Sequence, residues 1–306
     1  MKPEHPFISI VIPTYNRPRV LALCLQAIAA QTYSRDRFEV IVVNDGGTDP
    51  LDKVLRPYQG SMTCRLPYQS NSGPAAARNR GAREAVGQLL VFTDDDCAPA
   101  PDWLARLAER HAQAPDCAFG GQTQNALATN MYSTASQLVV SYLLDYYSNA
   151  PERVRFFPSS NLAFPAERFR SIGGFSTEYQ RAAGEDRELC DRWQHRGLRM
   201  IYVPEAVVYH SHNLRGMTFL RQHFHYGCGA FYYHRYRARQ RQQPIKVEPL
   251  TFYVNMLTYP FGKVTFRIAL CVLPLLIVAQ AVNALGFFWE YGKVKREVAS
   301  SADSSL

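Results

Sequence analysis

The chain has 306 residues, 47% of them apolar, and a formal net charge of +8. That apolar content excludes general disorder and suits one large α/β domain with an appendage, or two modest domains. The basic residues concentrate in 223–241 and around Lys263, Arg267, Lys293, Lys295 and Arg296, on both sides of the most apolar stretch, so the expected partner is an anionic membrane surface and no nucleic acid.

Seven cysteines at irregular spacing argue against a disulfide framework or a zinc site and fit a reducing cytoplasm. Residues 1–7 hold two prolines and no apolar core, so no signal peptide is expected there.

In chain order, residues 7–12 (FISIVI) read as a buried strand stopped by Pro13. Asn16 caps a helix with Arg17 and Pro18 in its first turn, running to about residue 32. Residues 38–43 (FEVIVV) form a second strand ended by NDGG, and a short third lies near 64–68. Gly73 and Pro74 open a helix through Val86, and residues 89–93 (LLVFT) are a fourth strand. Near-continuous apolar strands separated by helices predict a mostly parallel sheet covered on both faces, a Rossmann-like α/β fold with flanking helices. Beyond residue 117 the pattern is mixed. Strands are expected at 117–123, 156–164, 200–203 and 206–209, with helices at 132–147, 185–196 and 217–240.

The segment 268–289 carries no charge. As a helix it would be about 33 Å long, against a bilayer core of about 30 Å, which predicts a membrane-spanning helix. Pro274, Gln280 and Asn283 leave an interfacial, re-entrant or buried placement open. The tail from residue 299 to 306 reads as disordered.

Ligands in open α/β sheets bind beyond the carboxyl ends of the strands. Three strands here end in polar residues: Thr14-Tyr15-Asn16, Asn44-Asp45-Gly46-Gly47 and Asp94-Asp95-Asp96. Adjacent carboxylates repel unless a cation or donors offset them, and carboxylate oxygens suit Mg²⁺ or Mn²⁺. A solvated acidic turn capping a helix near Pro101 explains the triplet equally well. Arg78 projects from a helix lined with small residues, placed to engage a phosphate or a base, although a well-packed Ala-rich helix accounts for it too. Glu185-Asp186 stands at a helix start, where capping is the ordinary role; a separate acidic centre is also what hydroxyl activation needs. Ser159-Ser160-Asn161 makes a polar turn, and His210-Ser211-His212 is an exposed pair or a reach toward the metal. No GxGxxG follows the first strand and no GxxxxGK[ST] occurs, against a dinucleotide oxidoreductase or a P-loop NTPase.

Together these segments resemble the family 2 inverting glycosyltransferases of GT-A fold: IPTYNR (12–17), VVNDGGTD (42–49), NSGPAAARNRG (71–81), TDDDCAP (93–99), SNLAF (160–164), GGF (173–175) and GEDRELCDRW (184–193). The resemblance covers roughly residues 7–230. It implies a nucleotide-sugar donor, a UDP-sugar by family frequency, and a divalent metal, Mg²⁺ or Mn²⁺. Asp45 would meet the base, Thr14, Asn16 and Arg78 would help hold the nucleotide, Asp94 would lie near the ribose, and Asp95 would belong to the same nucleotide-sugar site. Asp96 would ligate the metal, with His210 a further candidate ligand. Asp186 would be the general base, with Glu185 beside it in the acceptor site. Gly47 departs from the Ser frequent in the family at that place, and QxxRW of the processive members is missing, favouring single addition over polymerisation.

The expected organisation is therefore a GT-A-like catalytic domain at 1–235 and a membrane-association region at 236–306. The acceptor is expected to be a glycan or lipid-linked saccharide, and the catalytic domain to face the cytoplasm at the inner (plasma) membrane. A nucleotidyltransferase and a catalytically silent membrane scaffold with a donor-binding fold stay as alternatives.

Overall fold

A computed structural model describes residues 5–147, 156–179, 183–242 and 248–303. The first half runs β1 (Ile8–Thr14), α1 (Pro18–Ala29), β2 (Phe38–Asp45), α2 (Asp52–Leu55), β3 (Thr63–Arg65), β4 (Tyr68–Gln69), α3 (Pro74–Glu84), β5 (Leu89–Phe92), β6 (Cys97–Pro99), α4 (Trp103–Gln113) and β7 (Ala118–Asn125). The second half runs α5 (Met131–Tyr147), β8 (Leu162–Pro165), α6 (Ala166–Ser171), α7 (Glu185–His195), β9 (Met200–His210), α8 (Gly216–Arg241), α9 (Leu250–Thr258) and α10 (Phe266–Asp303). The chain divides into two compact units, one comprising residues 1–126, 144–180 and 186–212, the other 127–143, 181–185 and 213–306.

The first unit is built on a nine-stranded sheet of order β3-β2-β1-β5-β8-β7-β9-β6, with β4 also on β2. Its first half is parallel as the alternation of strands and helices predicts: Val11 lies opposite Ile41 on one side and Phe92 on the other. β1, β2 and β5 are buried along their whole length, because helices cover both faces. Ile8, Ile10, Ile12, Val40, Val42, Leu89 and Val91 pack with Leu21, Leu25 and Ile28 of α1 in one core that also takes in Trp103, Leu104 and Leu107 of α4. The second half is mixed: β8 is antiparallel to β5 and β7, β9 is parallel to β7, and β6 is antiparallel to β9.

Two sequence expectations change here. The strand predicted over 156–164 is confined to Leu162–Pro165, preceded by a 3₁₀ turn at Ser159–Asn161, since the buried Asn161 side chain binds neighbouring backbone rather than leaving an extended run. The two strands predicted at 200–203 and 206–209 are one strand, β9, whose pairing with β7 slips between Val203 and Val207, where Pro204 has no N–H to give to a ladder.

In the second unit, Ala135, Leu138 and Val139 of α5 pack with Leu214, with Phe219 of α8, and with Val272, Leu276 and Ala279 of α10. The Tyr142 hydroxyl donates to the carbonyl of Phe252 on α9 at 2.7 Å. α10 begins two residues before the predicted apolar helix and continues to Asp303, so helix extends into the stretch from 299 that reads as disordered; residues 304–306 lie outside the described residues.

Candidate functional site

β1 and β5 are adjacent and parallel, so the residues that follow them meet at one sheet edge. There the three carboxylates face different sets of partners, two of them sharing Arg17. Asp94 accepts from Nη2 of Arg78 at 2.7 Å, and the guanidinium of Arg78 is almost wholly buried. Asp95 turns inward with no exposed surface, accepting from the Thr14 hydroxyl at 2.7 Å and from Arg17 Nε at 3.1 Å. Asp96 accepts from Arg17 Nη1 at 2.9 Å and meets His210 Nε2 at 3.1 Å through its other oxygen. The repulsion expected of adjacent carboxylates is thus offset by two arginines and a histidine.

Burial pushes the Asp95 carboxyl up to about 7, although Arg17 pulls the other way. For Asp96 burial also acts upward, but the hydrogen bond and charge of His210, with Arg17, hold the carboxyl well below the usual range. Reciprocally, burial opposes protonation of His210 while Asp96 outweighs it, so His210 sits above its ordinary value. His212 stacks on His210 with ring centroids 4.8 Å apart, and burial followed by the charge of His210 drops it to about 4.

Ligand atoms of Asp96, Cys97 and His210 lie within 4.8 Å of one another. The Cys97 thiol is fully buried and burial pushes it well above its ordinary value; as a soft sulfur ligand it suits Mn²⁺ or Mg²⁺ less than oxygen donors do. The carboxylate and imidazole that remain fit Mn²⁺ or Mg²⁺ with further sites for water and phosphate oxygens.

At the end of β2, Asp45 organises the next loop. Its carboxylate accepts from Gln69 Nε2 at 2.8 Å, from the Ser72 N–H at 2.9 Å and from the Gly73 N–H at 2.9 Å. Gly73 has φ +86°, a conformation only glycine adopts without strain, and it lets the chain turn into α3. Asn16, itself left-handed at φ 52°, accepts from the Thr48 N–H at 2.8 Å and so ties the ends of β1 and β2 together.

Asp186 stands half-buried at the start of α7, accepting from its neighbour Arg187 N–H at 2.7 Å and from the Ser159 N–H at 3.3 Å. Burial raises its carboxyl above the ordinary value, more than these hydrogen bonds and the charge of Arg78 lower it. Arg78, bonded to Asp94, therefore acts on both acidic centres. Glu185 beside it is buried.

The remaining motifs lock this frame. Asn79 of α3 exchanges two hydrogen bonds with the backbone of Phe175, at 2.7 and 2.8 Å. Arg192 pairs with Glu188 at 2.7 Å and donates to the carbonyls of Ile172 and Gly174. Asn161 accepts from the Trp103 indole at 2.9 Å and donates to the carbonyls of Gln122 and Ala206.

The profile described as glycosyl transferase family 2 matches residues 9–175, more than half of the chain, taking in Thr14, Arg17, Asp45, Arg78 and the three carboxylates of 94–96. The chain belongs to glycosyl transferase family 2. A second profile, described as the N-terminal domain of galactosyltransferase, matches residues 145–213 and takes in Asp186 and both histidines. Among relatives of this family 2 chain, the validoxylamine A glucosyltransferase of Streptomyces hygroscopicus subsp. jinggangensis is 30% identical over 66% of this chain and 54% of its own. The glucosyl-dolichyl phosphate glucuronosyltransferase of Haloferax volcanii is 26% identical over 67% of this chain and 69% of its own. The chain spans about half the length of the first curated relatives it matches.

Solved structures share the fold. The mannosyltransferase PcManGT from Pyrobaculum calidifontis, in complex with GDP-Man and Mn²⁺, superposes with a TM-score of 0.64 at 20% identity, over 92% of this chain and 87% of its own. TarS of S. aureus with UDP-GlcNAc gives 0.54 at 16% identity, over 95% and 92%. The GT-A architecture expected from sequence is therefore the architecture of this family 2 member.

Of the residues singled out in the sequence, Thr14, Asp95 and Asp96 come together with His210, and Asp94 joins Arg78. Asn16 and Asp45 organise loops. Arg17 was quoted in its motif without a role, yet it neutralises two of the three carboxylates. The signal that reveals it is topological: a basic residue three positions after β1 faces the end of β5, because the two strands are neighbours.

Proposed function

We propose that the chain is a single-addition, inverting glycosyltransferase that moves a sugar from a nucleotide sugar, a UDP-sugar in the first instance, onto a hydroxyl of a glycan or lipid-linked acceptor. The observation that carries this reading is the meeting of Asp96 and His210 at 3.1 Å beyond the end of β5. A carboxylate and an imidazole at that edge are suited to hold Mg²⁺ or Mn²⁺, which would offset charge on the departing nucleoside diphosphate.

Asp45 has three hydrogen bonds from the protein. Of the roughly four acceptor directions of a carboxylate, one is left for a base N–H. Asp94, more exposed than Asp95 and already bonded to Arg78, is disposed toward the ribose and phosphates. Asp95 is buried with Thr14 and pairs with the half-exposed Arg17, so both Asp95 and Thr14 support the donor site by orienting Arg17 and its neighbours.

Asp186 is the proposed general base, with Glu185 helping to shape the acceptor site. The acceptor hydroxyl forms the new bond to the anomeric carbon as the bond to the diphosphate oxygen breaks. Its proton passes to Asp186, and the nucleoside diphosphate leaves from the opposite face, inverting the centre. The raised affinity of Asp186 for a proton, caused by burial, suits it to that transfer at neutral pH.

A lipid-linked acceptor is supported by the apolar helix α10 and by a relative whose own name specifies a glucosyl-dolichyl phosphate substrate. Nucleotide sugars are cytoplasmic, so the proposal puts the catalytic unit at the cytoplasmic face of the inner (plasma) membrane. A thermal-shift screen of nucleotide sugars with Mn²⁺ tests the reading: one or a few nucleotide sugars should raise the melting temperature only when metal is present. Stabilisation by none of them, or by nucleoside triphosphates alone, contradicts it.

A further inference from the structure

In the second unit, α8 and α10 form a close pair. A Cβ on Gly227 would meet the carbonyl oxygen of Asn283 at 1.9 Å, and one on Gly286 would meet that of Phe224 at 2.1 Å, so the two backbones touch. Phe219 packs with Val272 and Leu276, the Cys228 thiol meets the Gly286 carbonyl at 3.5 Å, and the Tyr232 hydroxyl donates to Glu290 at 3.0 Å. Residue numbers rise together along both helices, so they run side by side and parallel through this stretch.

Among the described residues, none of this unit covers the far side of α10. Phe266, Leu270, Ile277, Leu285 and Phe288 are exposed, at spacings of 4, 7, 8 and 3 residues that keep them on one helix face, and Trp289 beside them is 60% exposed. Only 22% of the most apolar window is buried, unlike the core helix of a soluble protein, which is mostly buried. Lys263 and Arg267 stand exposed at one end of this face, and Lys293, Lys295 and Arg296 at the other.

A spanning α10 is hard to reconcile with its partner. The part of α8 that lies along it carries Arg221, Gln222, His223 and His225. Crossing the bilayer would take these polar groups into hydrocarbon together with α10, where each is costly. A spanning helix would also send one of two basic flanks across the membrane, whereas such flanks are usually retained on one side.

We infer that α10 lies flat in the interface of an anionic bilayer, its Phe266–Phe288 face in the acyl boundary, its basic ends on lipid phosphates, and α8 held on the aqueous side. This reading departs from the spanning expectation, which length and composition support and which the helix is long and apolar enough to meet. Length and hydropathy do not register that one whole side of the helix is committed to a polar neighbour. The inference concerns placement, so it stands or falls independently of the reaction.

The full chain supplies its own probe. It has three tryptophans, of which Trp103 and Trp193 are fully buried and Trp289 is exposed. Detergent-purified protein reconstituted with phosphatidylcholine–phosphatidylglycerol vesicles is read by spin-labelled lipids that quench at shallow or deep positions. Trp289 is compared with Leu270→Trp and Ile277→Trp, each placed in a Trp289→Phe background. Equal, shallow quenching at all three positions is expected. The exposed-face variant Ile277→Glu/Leu285→Glu should lower vesicle partitioning by about 10-fold or more without loss of helicity. Deep quenching at position 277 with shallow quenching at 270 and 289 overturns the inference in favour of a spanning helix. Absence of quenching at all three overturns it too, and assigns the face to a second protein surface.

Discussion

Nε2 of His210 lies 3.1 Å from Oδ1 of Asp96, joining the last residue of β9 to the acidic turn after β5. The pair depends on β6, whose antiparallel register sets Cys97 opposite His210. His210→Ala removes the imidazole and leaves the strand pairing, which is backbone. It should weaken Mn²⁺-dependent nucleotide-sugar binding by about 10-fold or more. Asp96→Ala should abolish that binding. Calorimetric titration of the donor with and without Mn²⁺ checks both; unchanged metal dependence in Asp96→Ala refutes the assignment.

Asp186→Asn keeps size and removes basicity. Donor affinity should persist while transfer falls by about 10²-fold or more. The comparison to make is kcat against donor affinity in the same preparation, and near-normal kcat assigns Asp186 to holding the Ser159 turn instead.

The acidity of the same residue gives a pH profile. Burial raises the Asp186 carboxyl above its ordinary 3.8, so the proton is lost at higher pH than for an exposed aspartate. The base works only when deprotonated. Turnover should therefore climb with pH along an acid limb whose midpoint lies above the ordinary aspartate value, and the limb should vanish from the residual activity of Asp186→Asn. A kcat–pH profile with an acid limb at the ordinary aspartate position contradicts the role.

Asn161 is a structural member of its motif. Asn161→Ala strands the Trp103 indole N–H and two backbone carbonyls inside the core. A cost of about 3 kcal/mol in unfolding free energy is expected, at 1–3 kcal/mol per stranded buried group with partial relaxation. Denaturant melts read that loss, and Mn²⁺-dependent donor binding by the folded fraction should be unaltered. A loss below about 0.5 kcal/mol would mean the core repacks around the gap.

Much of this was legible in the sequence because buried parallel strands are written as unbroken apolar runs: FISIVI, FEVIVV and LLVF all appear as strands with the polar residues at their ends. The sequence could not divide Asp94, Asp95 and Asp96 among their partners, since that depends on how each side chain leaves the turn. It also understated Arg17, whose role exists only because β1 and β5 are neighbours. In the second half, β9 was hidden by Pro204, and the turn at Ser159–Asn161 by flanking apolar residues that resemble a strand. α10 was visible as an apolar run, but only its one-sided packing on α8 distinguishes its faces.

The central claim is sugar transfer with inversion. The direct measurement is NMR of a reaction containing the nucleotide sugar that stabilises the protein, Mn²⁺ and a lipid-linked saccharide acceptor. Nucleoside diphosphate should accumulate in step with a new glycosidic linkage whose anomeric configuration is opposite to that of the donor. Release of pyrophosphate, or a product that retains the donor configuration, would contradict the account.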